Sequence, residues 1–174
     1  MASIGHVAVG MAAGRAYASL DGGGDPALLK KAMLYFSIVS LWPDIDALAF
    51  VMGIPYQAPL GHRGATHSIT MALVVGLLAL YVAWRDELPM RRTALFAGVV
   101  ALSHGLLDTM TFGGGYGCAL LWPFSAERYW APFRFIPISP IGVALISERG
   151  LFVMLTEIVI FAPFWLYAIW PRKK

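Results

Sequence analysis

The sequence is nearly without cysteine and poor in charge. Cys118 is its only thiol, which excludes an internal disulfide framework and a thiolate zinc cluster. Charged residues fill 13% of the 174 positions, about half their share in an average soluble domain. The net charge is only +3, and Lys and Arg form no dense run before the last three residues. That is too little for a nucleic-acid footprint, and no nucleic-acid partner is expected. The HExxH signature of zinc proteases is also missing.

Apolar residues take the remaining space, at 59% of the chain. A disordered chain is excluded on that count. Five apolar stretches stand out, at 2–20, 32–53, 66–84, 93–110 and 151–170. Each is near the length of about 20 residues that crosses about 30 Å of hydrocarbon. Residues 71–84 and 151–170 are apolar on every face, unlike the one-sided helices of a soluble core. The expected fold is an all-α polytopic membrane bundle of about five transmembrane helices, one domain over residues 1–174. The first stretch reads as a retained helix rather than a signal peptide, because it lacks a basic start and Arg15 interrupts it. Its Gly5, Gly10 and Gly14 suit close helix packing.

Orientation follows from the basic residues. Lys30, Lys31, Arg85, Arg91, Arg92, Arg172, Lys173 and Lys174 fall on one side of alternating crossings. This predicts a multi-pass protein of the cell (inner) membrane with its N-terminus outside and its C-terminus cytoplasmic. Residues 111–150, rich in proline, glycine, Trp and Phe, become a long outer loop lying at the interface. Residues 132–140 begin and end on proline, with Pro137 between, and cannot form regular helix.

Against this apolar background the ionisable residues within or beside the spans are functional candidates. They are His6, Asp44, Asp46, His62, His67, His104, Asp108 and Glu157. At about 1.5 Å of rise per residue, the first four spans bring their His and Asp residues to one layer, roughly 18–27 Å from the inner boundary. That layer is the outer third of the bilayer. His104-Gly-Leu-Leu-Asp108 is an i, i+4 pair sharing one helix face. Asp44 and Asp46 follow Pro43, whose kink would let both carboxylates turn inward. His62 and His67 flank a predicted helix start with Thr66 as its N-cap. A donor set of imidazole and carboxylate suits zinc, with manganese an alternative. Seven donors exceed the needs of one tetrahedral ion, so one or two ions are expected, a pair being suited to hydrolytic displacement.

These motifs, His6, Pro43-Asp44-Ile45-Asp46, His62-Arg63-Gly64-Ala65-Thr66-His67-Ser68 and His104-Gly-Leu-Leu-Asp108, resemble the small membrane-bound metal-dependent hydrolases of bacteria and archaea. Leu121-Trp122-Pro123-Phe124 looks similar too, so the likeness runs over residues 6–124. More distantly, they resemble the all-helical zinc-dependent phospholipase C and single-strand nuclease superfamily. In that comparison His6, Asp44 or Asp46, His62 or His67, His104 and Asp108 would be metal ligands. The sequence departs from the superfamily in lacking a second HxxxD or HxxxE pair; Glu148 or Glu157 would have to supply a missing carboxylate. The resemblance implies metal-assisted cleavage of a phosphoester in a lipid or lipid-linked substrate. Asp44 or Asp46 would act as general base and Arg63 would grip phosphate. The alternatives are a metal-dependent amidase or deacylase, and a non-catalytic metal protein for transport, sensing or structural clamping. Gly113-Gly114-Gly115 reads as a hinge.

Overall fold

The computed structural model describes residues 3–22 and 25–171. Ala2 of the first predicted span, and Arg172, Lys173 and Lys174 of the inner basic group, lie outside the described residues. The chain is mostly helical. Helix α1 runs Ser3–Ser19 and α2 runs Pro26–Leu41, continuing through a 3-10 segment, Trp42–Ala47, into the short α3, Leu48–Val51. A second 3-10 turn, Ala65–His67, leads into α4, Ile69–Arg85, and then α5, Met90–Thr109. Two-residue strands β1, Thr111–Phe112, and β2, Ile136–Pro137, pair in parallel. A third 3-10 turn, Gly142–Ile146, precedes α6, Glu148–Ile160, and α7, Ala162–Ile169.

Local chemistry sets these boundaries, and in places moves them from the predicted ones. α2 begins at Pro26 rather than at residue 32, because the Asp25 carboxylate accepts from Ala27 N and Pro26 is preset for the first turn. Lys30 and Lys31 therefore lie inside the helix. The N-cap of α4 is Ser68, whose hydroxyl accepts from Met71 N, and not Thr66. The last predicted span, 151–170, is not one straight rod. α6 and α7 are bent by 64° at Phe161, with Pro163 in the first turn of α7.

The continuous helical run Pro26–Val51 has 26 residues, about 39 Å at the α-helical rise. Among the described residues it is the one helix long and apolar enough to cross a membrane; the bent α6–α7 pair adds a second if taken as one span.

α1 packs along α2, α4 along α5, α5 against α1 and α2, and α7 back onto α1. The α1–α2 contact is close because Gly14 has no side chain: a Cβ there would lie 2.4 Å from Met33 Cα. Tyr17, Phe36 and Phe96 cluster with buried alanines in the main core. The outer faces are apolar. Leu73, Leu77, Leu78, Tyr81 and Trp84 of α4 are exposed, as are Leu34, Ile38, Leu95, Phe152 and Val159 elsewhere. Inside the bundle lie His6, Ser40, Asp46, His104, Asp108 and Glu157.

Candidate functional site

The site lies where the start of α1, the Trp42–Ala47 turn, the 61–67 segment and the C-terminal part of α5 meet. His6 comes from the first turns of α1, and His104 and Asp108 from α5. Asp44 and Asp46 come from the 3-10 turn whose second residue is Pro43. His62 and His67 come from the segment before α4. This segment reaches α5 because position 105 is glycine; a Cβ there would sit 2.4 Å from the His67 carbonyl oxygen.

All four histidines are buried, and so are Asp46 and Asp108. The Asp44 side chain is 26% exposed. Donor atoms of Asp44, His67, His104 and Asp108 lie within 4.8 Å of one another, and so do those of Asp44, Asp46 and His62. Asp44 belongs to both groups. His6 stands beside the first, its Nε2 3.4 Å from Asp108 Oδ1 and its ring stacked on His104 at 3.6 Å.

The hydrogen bonds behind the imidazoles fix what they present. His104 Nδ1 lies 2.6 Å from the Ser40 carbonyl oxygen, an acceptor, so Nδ1 carries the proton. His67 Nδ1 lies 3.0 Å from Asp46 Oδ2 and is held in the same tautomer. In their neutral forms both rings then turn an Nε2 lone pair towards the same space, with the two Nε2 atoms 3.1 Å apart. Asp44 Oδ1 is 3.3 Å from His104 Nε2 and 3.8 Å from His67 Nε2, and Asp108 Oδ2 is 3.6 Å from His67 Nε2. Two lone pairs and two carboxylates converging in a buried space need a cation between them, a shared proton or a metal ion. Neither ring nitrogen of His6 has a hydrogen-bond partner among the described residues. A cation-binding role fits this donor set, whose backing hydrogen bonds are those usual for metal-ligating histidines.

Asp46 is surrounded by donors. Oδ1 lies 2.6 Å from His62 Nδ1, while Oδ2 accepts from Arg63 N at 3.0 Å and from the Thr66 hydroxyl, and faces His67 Nδ1. Arg63 is 1% exposed. Its Nε lies 2.9 Å from Asp108 Oδ2, and its Nη1 donates to Thr111 Oγ1 and to the carbonyls of Asp108 and Tyr116. It thus orients Asp108 while lining the cavity below. Glu157, buried in α6, accepts from Gly5 N at 3.0 Å, one residue before His6. Glu148 is exposed in the first turn of α6. Neither glutamate joins a metal-capable group among the described residues.

The sequence reading passed over two contributors, Ser40 and Gly105, and the reach of a third, Arg128. Ser40 donates its hydroxyl to the His6 carbonyl and offers its own carbonyl to His104; its position four residues before Asp44 was the available signal. Gly105 is the close-approach residue. Arg128 bonds the carbonyls of His62, Gly117, Tyr56 and Ala58, and so ties down the loop that carries His62. Nothing in the sequence pointed to that clamp. Cys118 is wholly buried, and burial pushes its thiol well above the ordinary range.

A cavity of about 280 Å³ opens onto the cluster. Asp44, His62 and Arg63 form its polar wall, and Ile138, Ile141 and Leu145 part of its apolar one. Tyr56 also lines it, with a phenol pushed up to about 12, chiefly by burial, so it stays protonated near neutrality.

No solved structure matches the chain. The inner membrane protein YbcI of Escherichia coli (strain K12) is 42% identical over 108 residues. That match covers 62% of this chain and 62% of the relative, so the chain aligns with less than two thirds of the relative's length. The family described as the YdjM inner membrane protein matches residues 1–173. With a match of that extent, the chain belongs to the YdjM inner membrane protein family, a family of membrane proteins.

Proposed function

We propose that this chain is a membrane-embedded metal-dependent hydrolase that cleaves a phosphoester in a lipid or lipid-linked substrate. The observation that carries the reading is the pair of donor groups sharing Asp44, with the Nε2 atoms of His67 and His104 3.1 Å apart inside one of them. His67, His104, Asp108 and Asp44 would hold one divalent ion, and Asp44, Asp46 and His62 a second, with His6 beside Asp108. Zinc suits these ligands best and manganese is the alternative. Bound there, such ions supply an acidified water at neutral pH and offset charge on phosphoryl oxygens.

The chain's own residues would do the rest. Asp46 would orient the His62 and His67 rings. Asp44, the most open carboxylate of the cluster, would face the substrate and, with one oxygen left unbound, would accept the water's proton. Arg63 would hold Asp108 in place and keep a positive charge beside the cavity. Its commitment to Asp108 and Thr111 favours this positioning role over a free grip on phosphate.

In the same proposal, α1, α2–α3, α4, α5 and the bent α6–α7 pair are five crossings. The exposed apolar faces support it. The metal site then lies near the outer interface, with the N-terminus outside, the C-terminus cytoplasmic and the exposed Lys30, Lys31, Arg85 and Arg91 at the inner end.

The test is headgroup release from phospholipid vesicles by the purified protein with zinc or manganese. Activity lost on chelation, restored by metal and absent from His104→Ala is expected. Tight metal binding without turnover on any lipid would instead favour a structural clamp joining the four segments.

A further inference from the structure

The segment between β2 and α6 has two faces. It is anchored at one end by the β1–β2 pairing and Ile138 N donating to Phe112 O. At the other end, Ser147 caps α6 by accepting from Gly150 N. Its inward side chains, Ile138, Ile141 and Leu145, line the cavity beside Asp44 and Arg63. Its outward side chains, Val143 and Ile146, are each 90% exposed. Two large aliphatic groups displayed so fully on a five-residue turn are unfavourable in water. In a membrane protein they have a partner in the acyl chains.

We propose that the 138–147 strap is a lipid-dipped lip, through which an amphiphile enters the cavity sideways. The hydrocarbon chain would lie against Val143 and Ile146, with half-exposed Ile141 at the cavity mouth. The phosphate-bearing headgroup would reach past the lip towards Asp44, His62 and Arg63. The occupant is a membrane phospholipid rather than a free phosphoester. The identity of its headgroup rests on the hydrolase reading above, whereas the lip itself rests on the exposure pattern and the cavity.

The probe is phosphatidylglycerol with a diazirine at mid-chain, at a few per cent in vesicles of phosphatidylcholine and phosphatidylglycerol holding the full-length protein. Photolysis and peptide mapping are expected to place adducts on residues 141–146. Val143→Asp with Ile146→Asp should cut that adduct yield by about tenfold, a loss worth about 1.4 kcal/mol, while zinc content stays unchanged. If zinc content falls too, the milder pair Val143→Ser with Ile146→Ser replaces it, with the same expectation. A nitroxide on Val143→Cys should relax faster with dissolved oxygen than with a water-soluble relaxant; buried Cys118 leaves this the reactive thiol.

Adducts confined to the α4 and α6 faces, or a water-accessible nitroxide, would overturn the lip. The two proposals fail separately. Adducts on the strap without headgroup release remove the hydrolase and leave the lip. Headgroup release with no strap adducts removes the lip alone.

Discussion

Asp46 shows how much of the site depends on one carboxylate. His62, Arg63 N, Thr66 and His67 engage both of its oxygens. In the proposed site it would hold the His67 proton on Nδ1, leaving Nε2 to bind, and would orient the His62 ring. Asp46→Asn replaces one acceptor oxygen with a donor amide and sets it against an N–H. Zinc affinity by competition with a chelating dye is expected to fall about 10–100-fold. Circular dichroism should show helical content unchanged, because the bundle core lies further along α1, α2 and α5. Equal zinc affinity in the variant would mean that the tautomers are fixed elsewhere. The seven donors were legible because each is costly in an apolar span. Their division of labour was not, since Asp44 and Asp46 are identical in composition and differ only in the partners the fold brings to them.

At the scale of elements, the site depends on close approach more than on helix length. The 65–67 turn seats on α5 only because residue 105 has no Cβ. Gly105→Ala forces the turn outward and is expected to lower stability by about 1–3 kcal/mol, read as a shift in thermal unfolding in detergent. It should also weaken zinc binding, because His67 leaves its place opposite His104. Unfolding at the native temperature with full zinc affinity would show that the turn can yield without cost. The helices themselves were largely legible from apolar stretches of the right length. Their starts were not, because Asp25 with Pro26, and Ser68 rather than Thr66, decide them through single hydrogen bonds. The break at Phe161 was missed although Pro163 was in view. A proline in the first turn of a helix is favourable, so position alone does not distinguish a new helix from a kink.

For the whole molecule, the distribution of polarity is inverted relative to a soluble bundle. All four histidines, Asp46, Asp108 and Glu157 are inside, while many leucines and aromatics face out. Lys30, Lys31, Arg85, Arg91 and Arg92 gather at the end away from the metal-capable cluster, where Arg92 pairs with Asp21 and Arg85 with Asp86. The orientation that follows has its own test. Glu127→Cys in the 111–150 segment should react with an impermeant maleimide on spheroplasts, and Glu87→Cys in the α4–α5 turn only after lysis. The reverse pattern would invert the topology and place the cavity on the cytoplasmic side. One domain and an outer loop were read from the sequence, but that Ile138, Ile141 and Leu145 of that loop line the cavity was not legible there, since residues 111 and 136 meet only through the strand pairing. The central claim is that Asp44 is shared by two divalent ions. The direct measurement is an anomalous difference map from zinc-loaded crystals, collected on both sides of the zinc absorption edge. Two peaks are expected, one among Asp44, His67, His104 and Asp108 and one beside Asp44, Asp46 and His62. A zinc-saturated crystal with no anomalous peak within coordination distance of Asp44 would contradict the account.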